Sequence, residues 1–251
     1  MAKRLSSSRK SLLPIVMGKR LCETQKPSTI YDGLTMSPPR TIILQEEVLS
    51  SMARRSKPHI TQFFNRDRLA FTAMFKVGHV THEHLHQCGL ADSRIKNLLR
   101  DGHIEKIAYR QGNQVKESYK LTKLGRETAS RNWGLSQAYH AQSPAHDLSI
   151  AEKYFSLPVE IRDHWKTESQ IRDLFIEKLN NMRDQGHEAE AKLYEDMFAK
   201  GLISMPDATY ANESGQIIAF EVITNSYGQE ELRSKEALVE IMSYRYETIR
   251  I

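Results

Sequence analysis

Cysteine is nearly absent from this 251-residue sequence, which has only Cys22 and Cys88, far apart. Two widely spaced thiols exclude a disulfide-stapled scaffold and suit a reducing cytosol, so no disulfide and a cytoplasmic location are expected. Long apolar runs are missing too. Nothing approaches the roughly 18 consecutive apolar residues of a membrane span. Leu12-Leu13-Pro14-Ile15-Val16-Met17 is too short, and too quickly followed by Lys19-Arg20, for a signal peptide. No membrane partner is expected. The 39% hydrophobic and 27% charged residues that remain suit a soluble globular chain of one large or two small domains.

The net charge of +5 is unevenly spread. Residues 1–65 hold 11 Lys+Arg against 4 Asp+Glu (+7), and residues 66–131 hold 13 against 7 (+6). Residues 132–251 hold 12 against 20 (−8). A basic front and an acidic rear point to a polyanion met by the first half, with carboxylates left for other work behind it. Cations serving only solubility do not predict that segregation.

Residues 1–65 read as a basic, largely flexible arm, with Ser6-Ser7-Ser8-Arg9-Lys10, Pro38-Pro39-Arg40 and Arg54-Arg55-Ser56-Lys57-Pro58. One short strand or helix is expected near 41–54. The arm either tracks phosphates or is an untidy terminus.

Residues 66–131 carry the clearest pattern. A helix from Arg66 to Lys76 presents Leu69, Ala70, Ala73 and Met74 on one side, and Thr81 caps a second helix to Gln87. Asp92 caps a third helix to Arg100, which Asp101-Gly102 closes. Ile104–Tyr109 and Val115–Leu121 alternate as two strands, and Thr122 opens a last helix to about Ser130. This order, with Ile95-Lys96-Asn97-Leu98-Leu99-Arg100-Asp101-Gly102-His103-Ile104 and Tyr119-Lys120-Leu121-Thr122-Lys123-Leu124-Gly125, resembles a winged helix-turn-helix. The resemblance implies that the third helix enters the major groove and the wing meets backbone or minor groove. Ser93, Arg94, Lys96, Asn97 and Arg100 on that helix, and Arg110, Gln114 and Lys116 on the wing, are then the DNA-binding candidates. A winged helix used only for dimerisation or protein docking is the alternative.

His82-Glu83-His84-Leu85-His86 formally matches H-E-x-x-H, which can hold zinc between two histidines one helical turn apart. It lies on a short helix of the DNA-binding unit, and no third ligand follows at close range. No zinc is expected.

The rear half, residues 140–251, is organised around a hairpin. Met205-Pro206-Asp207-Ala208-Thr209-Tyr210 and Ile217–Thr224 flank Asn212-Glu213-Ser214-Gly215. A three-residue loop with Gly215 left-handed pairs Asn212 with Gln216 and sets Asp207 opposite Glu221, on one face and about 4.5–5.5 Å apart at Cβ. Glu221 falls in an apolar run, and a buried carboxylate without a partner is expensive. Either a cation lies between the acids, or Asp207 opens a turn while Glu221 pairs with an Arg or Lys. Helices begin at Ser143-Pro144 and at Thr167-Glu168-Ser169-Gln170, and a helix from Gln229 to Tyr244 precedes a short final strand.

Pro-Asp, strand, turn, strand and Glu resembles the core of the PD-(D/E)XK nucleases. That resemblance implies an α-β-β-α-β, restriction-endonuclease-like α/β domain, so the whole chain is expected to be α+β. It implies magnesium (or manganese) held by Asp207, Glu221 and the Val222 carbonyl, with Glu168 supporting and Lys235 as electrophilic helper. The usual lysine position is Ile223; some members of that family carry the lysine on the neighbouring helix, where Lys235 stands with Gln229 a further polar candidate, and if neither reaches, the domain is a scaffold that binds DNA without cutting. As an acid in a first turn, Glu168 is equally explained by the helix dipole. The motif order, with His146-Asp147-Leu148 and Trp165–Arg172 between the halves, is similar to replication-relaxation proteins of plasmids and conjugative elements. That likeness implies double-stranded DNA as partner, with other replication, transfer or recombination proteins and a second copy of the chain as further options. The activity is then either metal-dependent nicking or cutting of DNA, or non-catalytic regulation of replication or transcription on an inactive nuclease-like scaffold.

Overall fold

Residues Lys57–Ile251 are described by the computed structural model, so most of the basic arm and the element expected near 41–54 lie outside the described residues. The arm's last stretch is packed: Ile60 and Phe63 join the core, and the Ile60 N–H donates to Asp101 Oδ2 at 2.7 Å.

Three helices follow, α1 (Asn65–Val77), α2 (His82–Gln87) and α3 (Asp92–Arg100). Thr81 caps α2 by accepting from the His84 N–H at 3.1 Å, whereas α3 is capped by Ala91 and Asp92 is its first residue. Leu69, expected inward, lies towards solvent, and Ala70, Phe71, Ala73, Met74 and Phe75 make the buried side of α1. Strands β1 (Ile104–Gln111) and β2 (Gln114–Leu121) pair antiparallel around Gly112-Asn113, with Gly112 at φ +61°. They reach further into the turn than the alternation suggested. Helix α4 (Lys123–Trp133) closes the unit. Thr122 Oγ1 accepts from the Gly125 N–H at 3.0 Å and donates to the Gly102 carbonyl at 2.6 Å. A Cβ on Gly125 would stand 2.0 Å from the His103 carbonyl oxygen, so only glycine lets this helix approach so closely.

Helices α5 (Pro144–Ser156) and α6 (Val159–Asp163) lead to a four-stranded sheet. Its strands are β3 (Lys166–Thr167), β4 (Ala208–Ala211), β5 (Ile217–Ile223) and β6 (Arg245–Arg250), in that spatial order. Helices α7 (Glu168–Asp184) and α8 (Glu188–Ala199) come between β3 and β4, and α9 (Gln229–Met242) between β5 and β6. The first three strands pair antiparallel; β6 returns parallel to β5 after α9. The hairpin has the expected register, with Ala208 opposite Phe220 and Ala211 opposite Ile217. Asn212 N–H donates to the Gln216 carbonyl at 3.0 Å, and Gly215 is left-handed at φ +78°. The described residues are thus mixed α+β, with the expected α-β-β-α-β order present as α7, β4, β5, α9 and β6.

Alternation sends one face of the hairpin into a large core. Ala208, Tyr210, Ile218, Phe220 and Val222 join a hydrophobic cluster that runs without a break through α5 into α1, α3 and β2. Trp165 lies within it, stacked 5.9 Å from Tyr210 and edge-on to Tyr154 at 5.3 Å. A second cluster of Ile171, Phe175, Leu179, Ile203, Met205 and Leu238 joins α7 and α9. The segments 66–131 and 140–251 therefore share one core.

Asp67, fully buried, fastens α1 to α3. Arg94 Nε reaches its Oδ1 and Nη2 its Oδ2, each at 2.8 Å, and Nη2 also donates to the Gln62 carbonyl at 2.8 Å. Removing one member of such a pair strands a charge in the interior. Arg94→Ala should destabilise the fold by about 3 kcal/mol. In a thermal melt that corresponds to a Tm lower by roughly 6–12 °C at this size; an unchanged Tm would contradict the role.

Candidate functional site

Extending the hairpin register one step brings Asp207 and Glu221 together, 4% and 0% exposed. The Asp207 N–H donates to Glu221 Oε2 at 2.9 Å, and the Val222 N–H donates to Asp207 Oδ2 at 2.9 Å. The main chain of each strand thus holds the other strand's carboxylate, and Val222 touches the pair through its N–H.

Two cations answer the two acids. Lys235, from α9, places Nζ 2.9 Å from Glu221 Oε1 and donates to the Met205 carbonyl at 2.5 Å. His146, in the first turn of α5, places Nε2 3.2 Å from Asp207 Oδ2, an ionic contact rather than an aligned hydrogen bond. Its Nδ1 lies 3.5 Å from Asp147 Oδ1 and 3.4 Å from the Tyr139 hydroxyl. The Tyr227 hydroxyl, from the loop after β5, donates to Glu221 Oε1 at 2.7 Å. Both oxygens of Glu221 are therefore held by the chain itself.

Burial raises the Glu221 carboxyl above its ordinary range, and Asp207 adds to the rise against the pull of Lys235 and Tyr227. Burial alone would lower His146, but Asp147 and Asp207 outweigh it and lift the imidazole to about 9. His146 is then cationic at neutral pH. Three carboxyl groups, Asp147, Asp207 and Glu221, thus meet two basic groups, and the rise at Glu221 answers part of that imbalance. Among the buried polar atoms of the described residues that lack a hydrogen-bond partner are Asp147 Oδ2 and the Tyr246 hydroxyl oxygen; the former lies beside Gly78. Gly78 makes room for it: a Cβ there would lie 2.5 Å from that oxygen.

Of the residues expected at the acid centre, Asp207, Glu221, Val222 and Lys235 come together. Glu168 does not join them. Its carboxylate faces Arg172 at 3.0 Å, one turn along α7, as an acid in a first turn often does. Gln229 is exposed at the start of α9. Sequence reasoning gave no role to His146, Asp147, Tyr139 or Tyr227. The one available signal was a His-Asp pair just after the Ser143 cap.

The candidates for DNA divide differently from the expectation. Ser93, Lys96, Asn97 and Arg100 stand at i, i+3, i+4 and i+7 along α3, a single outward stripe opposite buried Ile95 and Leu98. Arg100 donates to Asn97 Oδ1 at 3.1 Å within it. Arg94 is a correction. Its guanidinium is spent on Asp67 and Gln62, away from the stripe. On the wing, the register sets Lys106, Ala108, Arg110, Val115, Glu117 and Tyr119 on one face, and Tyr109, Gln114 and Lys116 on the other. Lys106, Glu117 and Tyr119 border an open depression shared with His82, Asp92 and Lys96, so Arg110 belongs to the α3 side. Lys116 borders a separate depression with Ser149 and Glu152 of α5. Gln114 and Lys116 therefore do not share a face with Arg110.

The raised His146 carries a sign. A group held above its unfolded value contributes stability that is complete below about pH 6.5 and is lost as pH rises through about 9. The loss should be on the order of 3 kcal/mol for the wild type and absent from His146→Gln between those limits. Urea midpoints of both proteins at pH 6 and 9.5 check it; parallel profiles would remove His146 as the source.

No family model matches the chain, and no curated protein does. Among solved structures, it is similar to Bacillus subtilis PadR in complex with operator DNA, at 19% identity over 53% of this chain and 77% of that one, with a TM-score of 0.21.

Proposed function

We propose that this chain grips duplex DNA with α3 and the adjoining face of its wing and carries a magnesium- or manganese-dependent nuclease-like centre at Asp207, Glu221 and Lys235. The DNA half rests on the stripe Ser93, Lys96, Asn97 and Arg100, where two cations for phosphate or guanine flank an amide suited to adenine. Arg110 extends it. The similarity of the motif order to replication-relaxation proteins makes the DNA of a plasmid, phage or other mobile element the natural target, with replication, transfer or recombination proteins as further partners.

The nuclease half rests on one observation: Lys235 Nζ stands 2.9 Å from Glu221, supplying from α9 the ammonium that Ile223 cannot. The hard oxygen donors of Asp207 and Glu221 suit magnesium or manganese. Asp207, Glu221 and the Val222 carbonyl would hold the ion, which when bound supplies an activated water and charge stabilisation for phosphodiester hydrolysis. The chain's own residues do the rest. His146 fixes Asp207, Tyr227 orients Glu221, and Lys235 offers a positive charge to a phosphate oxygen once Glu221 turns to the ion.

A second reading, a non-catalytic replication or transcription regulator, is favoured by the closure of the same cluster. Both Glu221 oxygens are satisfied by protein donors, and the pair is nearly inaccessible.

Two measurements test these readings. Lys96→Ala with Arg100→Ala should weaken duplex binding by tenfold or more and make the log-log salt slope shallower by about 2. Unchanged affinity and slope would refute this interface. Supercoiled plasmid should be nicked by the wild type with magnesium or manganese, and at least a hundredfold more slowly by a folded Asp207→Asn variant. DNA binding without nicking in either metal would leave the regulator.

A further inference from the structure

Among the described residues outside the acid cluster, the side chains of His82, His86 and Asp92 converge on one another. We propose that His82, His86 and Asp92 form a site for one divalent transition metal of the zinc class, joining α2 to the first turn of α3. His82 and His86 lie one turn apart on α2, both exposed, with ring centroids 4.5 Å apart. The turn at Gly89, left-handed at φ +87°, brings the start of α3 back beside them. Asp92 Oδ1 then stands 3.2 Å from His82 Nε2 and 3.1 Å from His86 Nε2. This is the third donor that the sequence alone did not reveal, since it comes from the next helix.

The spacing is that of ligands around a small ion. Bonds of about 2.0–2.1 Å in a tetrahedron put neighbouring donor atoms about 3.3–3.4 Å apart. The donor atoms of all three residues lie within 4.8 Å of one another. The middle histidine of the run is different: His84 is buried, stacked on Phe155 at 4.3 Å, and near Glu152 at 3.5 Å. Glu83 is exposed and outside the converging set, so the arrangement is a clamp rather than a hydrolytic H-E-x-x-H centre.

Two imidazoles and one carboxylate select zinc, cobalt, nickel or copper over magnesium. The depression of about 490 Å³ bordered by His82, Asp92, Lys96, Lys106, Glu117 and Tyr119 gives solvent access, as a three-ligand site with an open fourth position requires. The competing explanation is a carboxylate oxygen that accepts hydrogen bonds from two imidazole N–H groups and binds no ion. Because α3 is the helix assigned above to the groove, an ion here would fix its N-terminus against α2. The site itself does not depend on that assignment.

Cobalt(II) titration of the full chain, followed by visible absorption, tests it without DNA. One equivalent should bind with the intense bands of four-coordinate cobalt, zinc should displace it, and excess magnesium should not. His86→Ala and Asp92→Ala should each weaken binding at least tenfold and abolish the rise in Tm that zinc gives the wild type. His187→Ala and Asp207→Asn should leave both unchanged, which separates this site from exposed histidines in general and from the acid cluster. Absence of stoichiometric binding, or equal binding by the Asp92→Ala variant, would overturn the proposal in favour of hydrogen bonding alone.

Discussion

Two like charges buried side by side are the constraint around which the rear half is built. A strand pairing that sets Asp207 against Glu221 is repulsive and poorly solvated unless positive charge and N–H groups reach it from elsewhere. They arrive from three places: His146 from α5, far back in the chain, Lys235 from α9, and Tyr227 from the loop that directly follows β5. The main chain contributes two more donors, at Asp207 and Val222. Each fixes a neighbour of the hairpin. The crossover helix has to present Lys235 inward, and α5 has to start where His146 can face β4.

Such a cluster can be read both as structure and as chemistry, and the two readings share their geometry. Internally matched charges hold elements in register at a high desolvation cost, which an apolar packing of the same volume would avoid. Retaining the acids where the strand is otherwise Ile, Ala, Phe and Val is what a reactive centre would demand. Saturation of Glu221 by protein donors is what a scaffold would tolerate.

Much of the fold was legible in the residues because local signals agreed with one another. Thr81, Thr122, Ser143 and Thr167 each announced a helix start, and Gly215 fixed the loop that sets the hairpin register. The register then delivered the Asp207–Glu221 juxtaposition, and the nuclease resemblance pointed to the next helix, where Lys235 stands. What stayed hidden was long-range. Nothing local tells Arg94 that a buried Asp67 waits 27 residues earlier, so an exposed-looking arginine was assigned to DNA. Nothing around His82 and His86 reveals Asp92 as a companion, because its place at the head of a helix already had an explanation. Glu168 shows the converse, a first-turn acid whose partner, Arg172, stands one turn along its own helix.

The unbroken core between winged unit and sheet fixes the geometry of any joint action. Modules strung on a tether can sample many separations along a duplex, but α5 belongs to the packing of both halves and leaves no slack between them. The span from the outward stripe of α3 to the carboxylates is consequently a constant of the fold, like the distance between two jaws of a caliper locked at one setting. Substitutions on the outward stripe of α3 leave that span untouched, because the stripe lies outside the core. Only rebuilding the interior would change the interval to the acids.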